Sequence, residues 1–187
     1  MTGRRPEAKA AETTTPRIGV VFSAEDIADR VAALARQIGA DFGADMLIVA
    51  ILKGSFVFAA DLVRALHHAG VRPEIDFLTL SSYGAGTEPG AIRVGQDVTS
   101  RLDGREVLLL DDILDSGRTV GFAKDLLERR GAKVRVCVLL DKRGRRAAPV
   151  AADYVGFVCP NRFVVGYGLD QAHYWRELPF IGAIDGI

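Results

Sequence analysis

The sequence predicts an α/β protein with an open, doubly wound parallel sheet. Segments with strand composition alternate with segments of helical periodicity along most of the chain. Such alternation implies parallel strands joined by right-handed helical crossovers. In addition, the run 45–52 is apolar at almost every position, as expected for a strand covered on both faces. Ligands of such folds bind beyond the carboxyl ends of the strands, so we expect the chemistry there.

Length and composition define the class of protein. The 187 residues are 49% hydrophobic and carry 24 basic and 24 acidic side chains, which suits a folded globular protein with no overall field for nucleic acid or membranes. Cys137 and Cys159 stand in apolar surroundings without a metal or redox spacing, which favours packing roles in a reducing compartment. No apolar run approaches about 18 residues, and the N-terminus lacks a secretory signal. A cytoplasmic location is therefore expected.

The domain organisation predicted from the sequence is simple. Residues 1–16 are polar and rich in Ala and Thr, so we expect a disordered tail. Residues 17–187 are expected to form a single domain. Its core would span about 17–150, and a small C-terminal hood would span about 151–187.

The first elements follow from local signals. Residues 17–23 have the composition of a short strand. Ser23 and Asp26 then form a capping-box pattern at the start of a helix with apolar residues at helical spacing. Gly39 or Gly43 is expected to end that helix.

The middle of the chain continues the alternation. The strand 45–52 is followed by a helical stripe over 55–70, which Gly70 is expected to close. Residues 74–83 and 106–114 are the next predicted strands.

The remaining elements are a helix over 121–131 and a strand over 133–141. Two segments depart from the pattern. The Gly-rich segment 81–94 is expected to be a mobile loop or a hairpin, and 153–184 shows short strands without a long helix. Each could form one wall of a site.

An acidic stretch in 107–120 is the main candidate for a binding site. Asp111, Asp112 and Asp115 follow an apolar run, and a small turn, Ser-Gly-Arg-Thr, leads from them into a helix. Such a turn presents backbone N–H groups and the positive end of the helix dipole to a phosphate monoester. The acids suit a ligand with ribose hydroxyls and metal-bound oxygens beside that phosphate. The pattern therefore indicates a sugar phosphate, although a lone acid of this kind more often only ends a strand or caps a helix.

This stretch resembles the phosphoribosyl-pyrophosphate signature of the type I phosphoribosyltransferases. From about Ile18 onward, the motifs "LKGSFVFAADLVRAL", "LLDKR", "FVVGYGLD" and "YWRELPFIG" are similar to the hypoxanthine-guanine phosphoribosyltransferases. The resemblance implies a Mg²⁺-dependent enzyme of purine salvage, with the type I phosphoribosyltransferase fold, a C-terminal hood and a mobile lid. In that family a 6-oxopurine attacks phosphoribosyl pyrophosphate through N9 and yields IMP or GMP.

The resemblance assigns residues to the phosphoribosyl pyrophosphate end of the site. Asp111 and Asp112 would hold the ribose hydroxyls and metal waters, and they should point to opposite faces of the strand. The residues of the pyrophosphate and 5′-phosphate loops would be Lys53, Gly54, Ser116, Gly117, Arg118, Thr119 and Arg176. The Lys53–Gly54 peptide would be the one that can be cis. Without the resemblance, Lys53 is a strand-end lysine and Arg176 a surface arginine.

At the base end, Asp115 would act as the general base beside the purine. Lys142 would donate to the 6-oxygen, Phe163 would stack on the ring, and Val164 would read the base through its backbone. Asp170 would border the base and bind a Mg²⁺ together with Asp111 and Asp112. The alternatives are a solvated basic loop at 142–146, a core strand at 163–165 and a turn acid at Asp170.

Ser82 and Tyr83 resemble the start of the lid that keeps water from the transition state. The partners implied are phosphoribosyl pyrophosphate, a 6-oxopurine base and further copies of the chain in a homodimer or homotetramer. A xanthine transferase and a non-catalytic sensor of phosphoribosyl pyrophosphate are the alternatives, and zero net charge disfavours a nucleic-acid-binding regulator.

Overall fold

The computed structural model describes residues 17–42, 46–82 and 92–184. The expected disordered tail, Tyr83 and the glycine-rich part of the expected lid lie outside these residues. The nine strands are β1 (Ile18–Phe22), β2 (Leu47–Leu52), β3 (Glu74–Ser82), β4 (Ile92–Gln96), β5 (Glu106–Leu114), β6 (Lys133–Asp141), β7 (Tyr154–Val158), β8 (Val164–Val165) and β9 (Ile181–Ile184). The three α-helices are α1 (Ala24–Asp41), α2 (Phe56–His68) and α3 (Arg118–Glu128).

The main sheet has six strands in the order β4-β3-β2-β5-β6-β7. Strands β3, β2, β5, β6 and β7 run parallel, and β4 pairs antiparallel with β3 at one edge. This arrangement confirms the predicted α/β fold. The antiparallel pairing of β3 with β4 agrees with the hairpin alternative for the two ends of the segment 81–94, and residues 83–91 lie outside the described part of the chain.

Helix α1 begins as the sequence predicts. The Ser23 hydroxyl accepts the Asp26 N–H at 3.1 Å, and the Asp26 carboxylate accepts the Ser23 N–H at 3.0 Å, which completes the capping box. The helix does not end at Gly39, because Ile38 still accepts the N–H of Phe42. The apolar face of α1 is buried at Ile38, and this packing outweighs the low helix propensity of one glycine.

Each face of the main sheet has its own hydrophobic core. Helices α1 and α2 pack on one face together with Leu108 and Leu110, whereas α3 packs on the other face together with Val107 and Leu109. The central strands are therefore covered on both sides, which explains their nearly continuous apolar sequences. None of the helices in the described ranges is both long and apolar enough to cross a membrane.

A second sheet of three antiparallel strands, in the order β1-β9-β8, lies apart from the main sheet in the pairing. The first predicted strand thus pairs with the end of the chain, with Ile18 opposite Ile184. The segment expected to form the hood contributes to both sheets, because β7 extends the main sheet beside β6.

Candidate active site

The predicted acids lie at the carboxyl end of the central strand β5. Side chains alternate along this strand, so Asp112 continues the face of Leu110 and Asp111 the face of Leu109. Asp112 therefore lies on the side of α1 and α2, and Asp111 on the side of α3. This agrees with the prediction that the two acids face opposite ways. Both nevertheless border one cleft of about 260 Å³.

Burial raises the pKa of both acids. The pKa of Asp111 is raised well above its usual value by burial and by the charge of Asp112. Burial also raises the pKa of Asp112, and the nearby charge of Arg176 opposes that shift. Two ionised carboxylates at this position are therefore costly in the free protein, and a cationic ligand would relieve their repulsion.

The predicted phosphate turn forms the N-terminus of α3. Gly117 is the residue before the helix and has φ of +81°, a conformation that glycine adopts without steric cost. A Cβ at this position would also lie 2.6 Å from a methyl carbon of Val150. The carbonyl oxygen of Ser116 accepts the N–H groups of Ala147 and Ala148, which ties the turn to the loop after β6. The first-turn N–H groups of α3 thus face the cleft at a fixed position.

The loop after β2 approaches the same cleft. The cis peptide bond is Leu52–Lys53, one residue before the pair that the sequence analysis named. Position 54 requires a glycine for a reason unrelated to the cis peptide bond. A Cβ there would overlap the Asp112 carboxylate. Gly54 therefore lines the cleft, whereas Lys53 is exposed and is not among its lining residues. The exposure of Lys53 agrees with the strand-end alternative.

A second cavity, of about 540 Å³, adjoins this cleft. Its walls come from the ends of β5 and β6 and from the segment before and after β8, and it is lined by Ile113, Asp115, Lys142, Asn161, Arg162, Phe163, Val164, Leu169 and Asp170. Asp115 and Ile113 line both spaces. A ligand with a sugar phosphate at one end and a ring at the other would pass Asp115 at the junction.

Lys142 is buried in this second cavity. Its side chain is 9% exposed, and its Nζ lies 4.0 Å from the Asp115 carboxylate. Its backbone N–H bonds to the Leu114 carbonyl at 3.0 Å, which sets the residue at the edge of the sheet. The neighbouring Arg143 is instead 72% exposed. The structure therefore contradicts the alternative of a uniformly solvated basic loop.

Phe163 and Val164 lie side by side on the far wall. Phe163 is 41% exposed, whereas Val164 and Val165 are buried in β8. A core strand explains the two valines but leaves the phenylalanine ring at the mouth of the cavity. That position suits stacking on a planar ligand.

Asp170, which lines the second cavity, forms an ion pair with Arg176, which is a lining residue of neither space. Arg176 Nη2 lies 2.6 Å from Asp170 Oδ1, and the other carboxylate oxygen accepts the N–H of His173 at 2.7 Å. The bond to His173 supports the turn-acid alternative, while its place in the cavity wall supports a ligand role. Arg176 is 22% exposed and also donates to the Gly168 carbonyl, so it is not an ordinary surface arginine.

The sequence analysis missed several lining residues. Ile113, Asn161 and Leu169 line the second cavity without any distinctive sequence signal. Gly168 was also missed. The structure shows why a glycine is needed there, because its φ is +97° and a Cβ would overlap the Gly54 carbonyl. The backbone of Ser82 ends β3 opposite Ile92, so the structure places only the first residue of the predicted lid.

Known proteins share this arrangement. The family described as phosphoribosyl transferase domain matches residues 21–172. The hypoxanthine phosphoribosyltransferase of Escherichia coli K12 is 40% identical over 172 residues, which are 89% of this chain and 95% of that protein. The hypoxanthine-guanine enzyme of Dictyostelium discoideum is 40% identical over 169 residues, or 88% and 94% of the two chains. The chain belongs to the hypoxanthine-guanine phosphoribosyltransferase family.

Solved structures of this phosphoribosyltransferase family agree. A Bacillus anthracis hypoxanthine-guanine enzyme has a TM-score of 0.84 at 42% identity, covering 91% of this chain and 99% of that chain. The Trypanosoma cruzi enzyme in complex with the product IMP has a TM-score of 0.85 at 33% identity, covering 95% and 98%. The resemblance found in the sequence is thereby confirmed, and with it the interpretation as a phosphoribosyltransferase of purine salvage.

Another group of relatives is longer. Bifunctional TilS/HprT proteins of Listeria are 41–42% identical over 168 residues, and the chain spans only 26% of their length. The phosphoribosyltransferase domain thus also occurs joined to a second protein.

Proposed function

We propose that the chain transfers the 5-phosphoribosyl group of phosphoribosyl pyrophosphate to N9 of hypoxanthine or guanine. The products would be IMP or GMP and pyrophosphate. The observation that carries this proposal is the buried Lys142, which lines the second cavity. That cavity adjoins the cleft of the phosphate turn, and Asp115 lines both spaces. The names of the relatives in Escherichia coli and Dictyostelium support the same substrates.

The phosphoribosyl pyrophosphate would lie along the cleft at the end of β5. Its 5′-phosphate would accept hydrogen bonds from the turn Ser116, Gly117, Arg118 and Thr119, where free N–H groups and the helix dipole favour an anion. The ribose hydroxyls would donate to Asp111 and Asp112. The pyrophosphate would reach the loop of Lys53 and Gly54 and the guanidinium of Arg176, whose paired N–H groups suit phosphate oxygens.

The purine would occupy the second cavity. Lys142 would donate to the 6-oxygen, and the exposed ring of Phe163 would stack on the base. The backbone at Val164 would complete the recognition of the base edge, with Asp170 at the far wall. Asp115 lines both spaces, so it would lie beside the base near the sugar and would accept a proton or stabilise the protonated ring.

A Mg²⁺ ion suits the acid pair. Oxygen ligands are those that Mg²⁺ prefers, and a cation would relieve the repulsion that raises the pKa of Asp111. Among the residues with described positions, no three or more acidic, histidine or cysteine side chains converge on one point. The substrate and water would therefore complete the shell, and Asp170 would contribute at the pyrophosphate end. When bound, the metal would neutralise charge on the leaving pyrophosphate.

Several finer predictions stay proposals. Ser82 and Tyr83 would begin a lid that excludes water from the reacting atoms. A homodimer or homotetramer and a cytoplasmic location are likewise expected from the family resemblance and the composition. A single domain with a C-terminal hood is expected for residues 17–187, preceded by a tail at 1–16.

Initial rates test the proposed activity and its alternatives. The purified chain would be assayed by absorbance with phosphoribosyl pyrophosphate, Mg²⁺ and each of hypoxanthine, guanine, xanthine and adenine. We expect turnover of the first two bases and little of adenine. A preference for xanthine would assign the chain to a sister transferase, since all three oxopurines offer a 6-oxygen to Lys142. Binding of phosphoribosyl pyrophosphate without turnover of any base would indicate a sensor.

A further inference from the structure

The turn at residues 166–170, after β8, has an unusual backbone. Gly166, Tyr167 and Gly168 have φ of +95°, +51° and +97°, so three consecutive residues are in the left-handed region. Glycine adopts this conformation readily, but a tyrosine adopts it only where the surroundings impose it. A contact outside the turn must therefore hold Tyr167 in place.

Two contacts do this: the N–H of Tyr167 donates to the Leu178 carbonyl at 2.8 Å, and its side chain bonds to helix α2. The Tyr167 hydroxyl donates to Asp61 Oδ2 at 2.6 Å, although the two residues are 106 positions apart. The Tyr167 side chain is buried, and burial raises the pKa of its hydroxyl, which therefore remains a donor. Asp61 lies in the second turn of α2, directly after the loop of Lys53 and Gly54. The hydrogen bond thus joins the helix behind one substrate loop to the turn beside another.

The turn contacts both ends of the proposed substrate site. Gly168 packs so closely on the Gly54 carbonyl that a Cβ at position 168 would overlap it. Its own carbonyl accepts from Arg176, and its N–H donates to the Arg176 carbonyl at 3.0 Å. The next two residues, Leu169 and Asp170, line the base cavity. A displacement of this turn would therefore move the pyrophosphate contacts and the base wall together.

We infer that Asp61 and Tyr167 are a positioning pair. Their hydrogen bond fixes the position of Leu169 and Asp170 in the base cavity relative to Gly54 and Arg176, the proposed pyrophosphate ligands. Neither side chain lines the cleft or the base cavity, so both would act through the turn, whose Leu169 lines the base cavity and whose Gly168 contacts Gly54 in the cleft. The inference rests on the proposed function, because it assigns the two contacts by the substrates proposed for them. It adds two residues that carry no signature of the reaction in the sequence.

The experiment compares four variants of the full chain. Tyr167→Phe removes the hydroxyl and keeps the ring, and Asp61→Ala removes its acceptor. Asp61→Asn keeps an acceptor oxygen, so its KM values should lie closer to those of the parent than the KM values of Asp61→Ala do. Arg64→Ala is the matched control, because Arg64 pairs with the same carboxylate on the exposed side of α2. Thermal melts of each variant establish the temperature at which all remain folded.

The readout is KM in both directions of the reaction. In Tyr167→Phe and Asp61→Ala, we expect KM for hypoxanthine and for pyrophosphate in the reverse reaction to rise together by about three- to tenfold. Binding of ribose 5-phosphate, which has neither a base nor a pyrophosphate group, should stay within about twofold of the parent. Arg64→Ala should match the parent in all three measurements.

The outcomes separate this inference from the proposed function. If the parent turns over no oxopurine, the proposed function fails. If the parent is active and Tyr167→Phe keeps both KM values, the inference is wrong. A lower melting temperature with unchanged KM values would show that the pair is merely structural. If Tyr167→Phe does not fold, the comparison of Asp61→Ala with Asp61→Asn decides, and equal KM values in these two would overturn the inference.

Discussion

Replacing Lys142 with glutamine should reduce the preference of the enzyme for 6-oxopurines over adenine. The Lys142 side chain is 9% exposed, and its nearest described carboxylate oxygen lies 4.0 Å away, beyond hydrogen-bonding distance. The ammonium group has three donors and no acceptor. A 6-oxygen satisfies one donor, whereas the 6-amino group of adenine opposes donor to donor. Glutamine removes the charge and adds an acceptor oxygen, so the variant weakens the attraction to a 6-oxygen and relieves the opposition to a 6-amino group.

The size of the effect follows from the burial of the group. A hydrogen bond to a charged partner contributes about 1.5–3 kcal/mol. Because about 1.4 kcal/mol corresponds to a factor of ten, kcat/KM for hypoxanthine and guanine should fall by about 10- to 150-fold. Use of adenine should change by no more than a fewfold, since glutamine offers an acceptor to the amino group. The ratio of oxopurine to adenine use should then narrow by at least about tenfold.

The assay is the initial rate of each base at saturating phosphoribosyl pyrophosphate. Arg143→Gln is the matched control, because it removes the neighbouring charge from a side chain that is 72% exposed. Its base preference should equal that of the parent. An unchanged ratio of oxopurine to adenine use in Lys142→Gln would refute the reasoning, since the base would then be recognised by other groups.

Three further predictions concern the acids. Asp115→Asn should lower kcat by about 10²- to 10⁴-fold and raise KM for phosphoribosyl pyrophosphate far less, because the proposed role of this acid is at the base; a kcat within a fewfold of the parent would contradict this role. Asp170→Asn should raise the Mg²⁺ concentration for half-maximal rate, and full activity of the parent in excess EDTA would disprove the metal requirement. Asp111→Asn should raise the melting temperature of the ligand-free protein at neutral pH. Burial raises the pKa of Asp111, so its carboxyl favours the folded state at low pH and loses that contribution as pH rises through the folded pKa. The gain should vanish in acid, and a lower melting temperature at neutral pH would show that the buried charge is already compensated.

Much of the fold could be predicted because its signals are local. The limits of β5 and β6 coincide with the predicted strands 106–114 and 133–141, since apolar runs bounded by turn residues define them. The start of α1 follows from Ser23 and its capping partner within one turn. Of the two predicted limits of α1, Gly39 lies inside the helix because burial against the core competes with local helix propensity, and Gly43 lies outside the described residues.

In the candidate site, too, some features follow from local signals and others depend on tertiary contacts. The turn at Gly117 and the helix after it could be predicted, because the turn, the helix and the acids before them are consecutive in the chain. The burial of Lys142 beside an exposed Arg143, and the packing of Gly54 on Gly168, became apparent with the folded chain. Those contacts depend on the order and register of strands that are far apart in the chain, and the periodicity of a short segment carries no information about its distant neighbours.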